Sequence, residues 1–209
     1  MVPQRPQHQE PGDLHLGSRL VELLLPHRRP FLMVDRIESF RMRPQPTVRA
    51  SRHITMNETV FQGHFPGLPI WPGVLTLEGL QQCAVLTVSL AAFHRSAAEK
   101  GEDPENLFEA LRNLDRGFRL HPAYRADGAA DLIARLAAPA DSLVFGAAVQ
   151  IKFLRPVFPG CRLDYSAEMT HEVGAQARFS VAATVEGEPV AEGTIAGAIS
   201  GHPPVPRAP

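Results

Sequence analysis

The sequence predicts an α+β fold in which an antiparallel sheet wraps around one long central helix, with a helical segment inserted after that helix. Three observations carry the expectation. From Gly73 to Phe93 apolar residues (Val74, Leu75, Leu77, Leu80, Ala84, Val85, Leu86, Val88, Leu90, Phe93) occupy most of a helical circumference, the pattern of a helix buried inside a domain. Leu163, Tyr165, Ala167 and Met169 alternate with Asp164, Ser166, Glu168 and Thr170, and a second alternating run spans Gln176 to Val185; each reads as a half-buried antiparallel strand. Two strands precede the helix and four follow it, an order that lets one sheet close over one helix.

Taken in order, the proline-rich start makes residues 1–16 a disordered tail, and residues 201–209 another. Ser18 is expected to cap a short helix that Pro26 ends by Leu25. Phe31–Phe40 and Thr47–Ile54 read as strands about a turn at Pro44 and Pro46. Residues 55–72 lack any period, and Gly63, Pro66, Gly67, Pro69 and Pro72 make them a shaped loop. Segment 94–142 is polar and mixed, with helices expected around Pro104–Leu114 and Gly128–Ala137. Leu143–Phe153 forms a strand, and Glu186 to Pro189 turns the chain into a last strand, Val190–Ile199. Residues 17–200 thus form a single domain.

Composition removes several function classes. With 209 residues, 44% hydrophobic, the chain can bury a core unaided. A net charge of −1 gives no reason to expect nucleic acid. Charge is nevertheless uneven: seven Arg face two acids between Arg28 and Arg52, whereas residues 158–199 hold two Arg against six acids. That asymmetry suits an acidic partner, and scattered solvated charges explain it equally well. Cys83 and Cys161 form no disulfide framework, the N-terminal residues lack the apolar stretch of a signal peptide, and the longest apolar run, Cys83–Phe93, is short for a bilayer. A cytoplasmic, membrane-free protein is expected. Nine histidines include no metal-binding pattern, and no phosphate-cradling or dinucleotide turn occurs, so neither metal nor cofactor is expected.

The chemistry-bearing stretch runs Phe61-Gln62-Gly63-His64-Phe65-Pro66-Gly67-Leu68-Pro69-Ile70-Trp71-Pro72-Gly73-Val74-Leu75-Thr76-Leu77-Glu78. It closely resembles the (3R)-3-hydroxyacyl-acyl-carrier-protein dehydratases of bacterial fatty acid synthesis, whose signature is a Gly-His-Phe-Pro turn, a Pro-x-x-Pro-Gly stretch and an acid fourteen residues after the histidine. Leu25 to Arg36, the pair Asn57-Glu58, and Lys152 to Gly160 resemble other stretches of that family, so the likeness covers about residues 18–93 and 143–199. It implies the hot-dog fold, with the expected element order, and dehydration of a carrier-bound 3-hydroxyacyl thioester.

The reaction requires a base for a weakly acidic C2 proton, an acid for a poor leaving group, and donors for the thioester carbonyl. The resemblance assigns the first two to His64 and Glu78. Neutral His64 is the expected base; Glu78, early in an apolar helix, is the expected acid, its proton favoured by desolvation. Gly73 and Val74 open the helix, where unpaired amides and the positive dipole end can meet the carbonyl. Gln82 matches a family glutamine and is expected to support the site, with Phe65, Pro66 and Trp71 shaping it. Arg28, Arg29, Lys152 and Arg155 are candidate contacts for the acyl carrier protein, although His27, Arg28 and Arg29 suit a fold-fixing role better. The resemblance also implies a homodimer or an assembly of dimers, each site taking its histidine and acid from different subunits.

Trp71 stands where the family usually has a smaller aliphatic residue, and Gly79 where alanine is common; both bear on acyl preference. The alternatives are a bifunctional dehydratase and isomerase, which carries Asp where Glu78 stands, a hot-dog thioesterase, and a non-catalytic partner subunit. Segment 94–142 is longer than the family's connection. Its apolar spacings (Leu107, Phe108, Leu111, Leu114; Leu132, Ile133, Leu136) lead us to expect either a folded cap beside the acyl tunnel or the carrier-docking face, or a peripheral element on the sheet edge.

Overall fold

Alternation and helical apolarity resolve as expected into one sheet and one core helix. The computed structural model describes residues 12–121, 124, 129–137 and 143–200. Its strands are β1 (Asp13–Leu16), β2 (Arg36–Arg41), β3 (Thr47–Ile54), β4 (Leu143–Phe153), β5 (Cys161–Val173), β6 (Gln176–Val185) and β7 (Glu188–Ser200), and its α-helices are α1 (Ser18–Leu24), α2 (Gly73–Glu99), α3 (Pro104–Leu120) and α4 (Ala130–Ala137). All pairings are antiparallel, in the order β1-β2-β3-β5-β6-β7-β4. The hot-dog arrangement follows: Leu163, Tyr165, Ala167 and Met169 of β5 and Phe179, Val181 and Ala183 of β6 are buried on the face that receives α2.

Every residue of α2 from Gln82 to Ala91 is buried, so the missing polar stripe is accounted for by a sheet that surrounds the helix. At 27 residues α2 is long and apolar enough to cross a membrane by length and composition, yet 72% of its most apolar 18-residue window is buried inside the protein. Its apolarity is spent on the core.

Four expectations are corrected. The tail does not extend through residue 16, because Asp13–Leu16 pairs with β2 and buries Leu14 and Leu16; the alternation Asp-Leu-His-Leu was the overlooked signal. Residues 1–11 and 201–209 lie outside the described residues. The strand expected over Phe31–Phe40 begins only at Arg36. Upstream, backbone groups that a ladder would use are taken by side chains: Gln82 bonds Phe31 O and Met33 N, and Arg52 bonds Leu32 O. Ser18 is not a cap; Gly17 holds that position, and its N–H donates to Asp115 Oδ1 at 2.7 Å. The excursion starts after Glu99 rather than at residue 94, since α2 continues that far.

The inserted helices are firmly packed. Asp103 caps α3 by accepting from Glu105 N, with Pro104 in the first turn. Phe108 meets the rings of Phe40 and Phe93, Leu111 and Leu114 are buried, and Arg135 of α4 stacks over Phe93. Together α3 and α4 cover α1, β1 and the far end of α2.

Candidate active site

The irregular segment before α2 is ordered by its own backbone. A 3-10 turn spans Thr59–Gln62, His64 N donates to Val60 O at 3.0 Å, and Ile70 N donates back to His64 O at 3.0 Å. The His64 ring is oriented by Nδ1, 2.7 Å from Ile70 O. A carbonyl only accepts, so Nδ1 carries the hydrogen and Nε2 of the neutral ring keeps its basic lone pair. Phe65 stacks on His64 with centroids 4.1 Å apart, and Phe65 and Leu68 exchange two backbone bonds across the turn that holds Pro66. Phe65 thus braces the imidazole.

Beside His64 lies a cavity of about 360 Å³ lined by Trp71, Gly73, Thr76, Phe153 and Arg155, among others. Trp71 is only 3% exposed: its backbone N–H donates to Val157 O at 2.8 Å and its ring lies 5.2 Å from the Arg52 guanidinium carbon. Arg52 was not singled out in the sequence. Buried to 4% exposure, it donates to Leu32 O (2.7 Å) and Glu58 Oε1 (2.8 Å), so one cation ties three segments around the loop. Burying an unpaired charge is costly; these partners offset the cost.

The helix begins beside the cavity at Gly73, with Pro72 as its N-cap. The Gly73 and Val74 amides precede the first intrahelical bonds and have no acceptor among the described residues. A Cβ on Gly73 would stand 3.0 Å from the Phe153 ring. Glycine therefore lets that ring close on the helix start.

Glu78 sits elsewhere. Its Oε1 accepts from Gln82 Nε2 at 2.8 Å and lies 3.4 Å from His27 Nε2. Gln82 is fully committed: Oε1 accepts from Met33 N, and the two amide hydrogens go to Phe31 O and Glu78, all at 2.8 Å. Burial pushes His27 below the usual imidazole range, opposed by Glu78 and assisted by Arg28. His64 and Glu78 share no hydrogen bond or ion pair within the chain, and Glu78 is not among the residues that line the His64 cavity.

Gly79 also has a tertiary reason. A Cβ there would come within 2.4 Å of the Tyr165 ring and hydroxyl, so the buried tyrosine excludes alanine. Of the four basic residues expected to meet a carrier, Arg28 turns one guanidinium nitrogen back to Leu25 O and His27 O. Arg29 lies 3.8 Å from Asp35, Arg155 pairs with Glu188, and Lys152 is exposed opposite Glu192. Only Arg155 borders the cavity. Among the described residues no cluster of His, Cys, Asp and Glu could hold a metal ion, and none of the described residues between 94 and 142 lines the cavity.

The FabA-like domain family matches residues 25–112, the span that contains His27, His64, Glu78 and Gln82. The chain is 34% identical over 172 residues to the 3-hydroxyacyl-acyl-carrier-protein dehydratase FabZ of Anaeromyxobacter sp. (strain K), covering 82% of this chain and 83% of that relative. It is likewise 34% identical over 176 residues to the enzyme of the same name from Polynucleobacter necessarius subsp. necessarius (strain STIR1), with 84% and 87% covered. A solved dehydratase heterocomplex from Xenorhabdus doucetiae aligns at a TM-score of 0.49 and 13% identity, over 86% of this chain and 90% of that one. With that identity extending over most of both chains, this protein belongs to the FabZ-type 3-hydroxyacyl-acyl-carrier-protein dehydratase family.

Proposed function

We propose that the protein is a hydro-lyase that dehydrates a (3R)-3-hydroxyacyl group on acyl carrier protein to the trans-2-enoyl thioester, with His64 as base and Glu78 as acid. The observation that carries this reading is the orientation of His64: Ile70 O holds Nδ1–H, and the ring, with Nε2 still basic, borders a cavity beside two acceptor-free amides. Nε2 takes the C2 proton while the Gly73 and Val74 amides receive the negative charge growing on the thioester oxygen. Protonated Glu78 gives its proton to the C3 hydroxyl, which departs as water. Gln82 keeps the carboxyl in place, and Trp71, Phe65 and Pro66 fix the walls.

Because His64 and Glu78 share neither a bond nor a cavity within one chain, the working unit in this reading is a dimer whose sites combine His64 of one subunit with Glu78 of the other. Edge strand β4 supports this: among the described residues it pairs only with β7, and it leaves Val149 and Phe153 exposed, an edge that a second copy would cover. Arg155 and the neighbouring Lys152, with Arg29, are the basic contacts for the acidic carrier.

Mixing two inactive variants tests both parts. His64→Ala and Glu78→Gln homodimers should each be inactive, whereas random exchange of their subunits should restore about a quarter of normal turnover, since half the dimers regain one of two sites. Activity in either parent sinks the residue assignment; inactive parents that recover nothing after verified exchange sink the shared site.

A further inference from the structure

Glu78 has a second neighbour that the sequence does not connect with it. His27 precedes β2 in a turn held by Arg28, whose NH1 donates to both Leu25 O and His27 O. The ring packs beside Phe31 with centroids 6.0 Å apart and brings Nε2 to 3.4 Å from Glu78 Oε1. The same oxygen accepts from Gln82 at 2.8 Å, and Oε2 has no partner among the described residues.

We propose that His27 is a positioning residue for the Glu78 acid: its Nε2–H and the Gln82 amide together hold Oε1, leaving Oε2 to face the leaving hydroxyl. The inference rests on the reading of Glu78 as that acid. His27 Nδ1 is buried and without a partner among the described residues. A hydrogen on Nδ1 would therefore be a buried unpaired donor, and would set the Nε2 lone pair against a carboxyl oxygen. The tautomer with hydrogen on Nε2 avoids both costs.

Neutrality of the ring matters as much as its position. Burial works against the imidazolium form of His27, so the group holding Oε1 is a neutral donor. An imidazolium there would favour ionised Glu78 and strip the acid of the proton it must deliver. A neutral N–H orients the carboxyl without that demand, as does the Gln82 amide. Oε1 is thus held twice by uncharged donors while the proton remains on Oε2.

The test uses the full-length protein and 3-hydroxyacyl thioesters of N-acetylcysteamine, which bypass carrier docking. His27→Ala should lower kcat about tenfold with KM unchanged. His27→Gln, which keeps an uncharged N–H donor of similar reach, should recover most of kcat, and added imidazole should partly rescue the alanine variant. If the alanine variant does not fold, His27→Asn, whose shorter amide falls short of Oε1, takes its place. Unchanged kcat, a change in KM alone, or equal loss in the Gln and Ala variants overturns the proposal. Glu78→Gln, assayed alongside, separates the failures: if it stays active, the acid assignment itself is wrong; if it is dead while His27→Ala is normal, only the role of His27 falls.

Discussion

The two ends of α2 meet different surroundings. At the Gly73 end the first amides lack acceptors among the described residues, Val74 is 69% exposed, and Phe65, Leu68 and Phe153 show large apolar surfaces. At the Phe93 end Phe108, Leu111, Leu114 and Leu136 form a buried cover, and even the charge in that cover is satisfied. Asp115, 1% exposed, accepts from Gly17 N and pairs with Arg119 at 2.5 Å. Amides without a protein acceptor are free to bond water or a ligand, and exposed rings are unfavourable in water, so this is the end suited to receive something else. The sealed end shows that the chain can finish a helix surface where no ligand or partner is needed. The inserted helices α3 and α4 belong to that sealed end, which favours their reading as a peripheral packed element over a cap on the His64 cavity.

Four experiments probe this contrast. The largest effect belongs to the open end: His64→Ala and Glu78→Gln should each reduce kcat by about 10³ or more while thermal unfolding stays within a degree or two of wild type. A melting shift as large as that of a core variant would turn the open end into an ordinary structural one. Leu111→Ala, at the sealed end, should do the reverse, costing about 3 kcal/mol in denaturant unfolding with kcat retained below the transition. Loss of turnover in its folded state would couple the insertion to catalysis.

Gly79→Ala sits between the two. The new methyl must displace the Tyr165 ring, at a cost of about 2 kcal/mol. Adding Tyr165→Leu should remove much of that penalty, and a strictly additive double variant would show that the tyrosine is not the cause. The smallest effect lies on β2, remote from both ends. Burial alone would raise the Glu38 carboxyl, but hydrogen bonds from Ser51 and His15 and the charges of Arg162 and Arg36 outweigh it and hold it below its ordinary range. Its stabilisation is therefore complete above the unfolded carboxylate range and is lost as pH falls through the depressed folded value. Glu38→Gln should cost about 1 kcal/mol at neutral pH and progressively less in acid; a penalty independent of pH would rule out the charged interactions as its source.

Much of this molecule could be read from short-range pattern. Strands β4 to β7 and helix α2 announce themselves by periods of two and by all-round apolarity, because alternation and burial impose those patterns directly. The motif from Phe61 to Glu78, with its resemblance to the dehydratases, points to His64, Gly73, Val74 and Glu78, and the resemblance adds Gln82. What the sequence could not express is which distant side chains occupy which backbone groups. The strand that failed to form at Phe31–Asp35 failed because Gln82 and Arg52 claim its hydrogen-bonding groups. Gly79, which the sequence connects only with acyl preference, leaves space for the distant Tyr165. His27 and Arg52 resembled ordinary residues of their segments until the fold placed one against Glu78 and the other beneath Trp71. Periodicity is set by a residue's own neighbours along the chain and so survives in one dimension, whereas a hydrogen bond or a packed ring depends on atoms far apart in sequence. Most elements and the candidate site residues were legible in the order of amino acids, while the hydrogen-bonding state of each candidate group was decided by the tertiary contacts that pair its atoms.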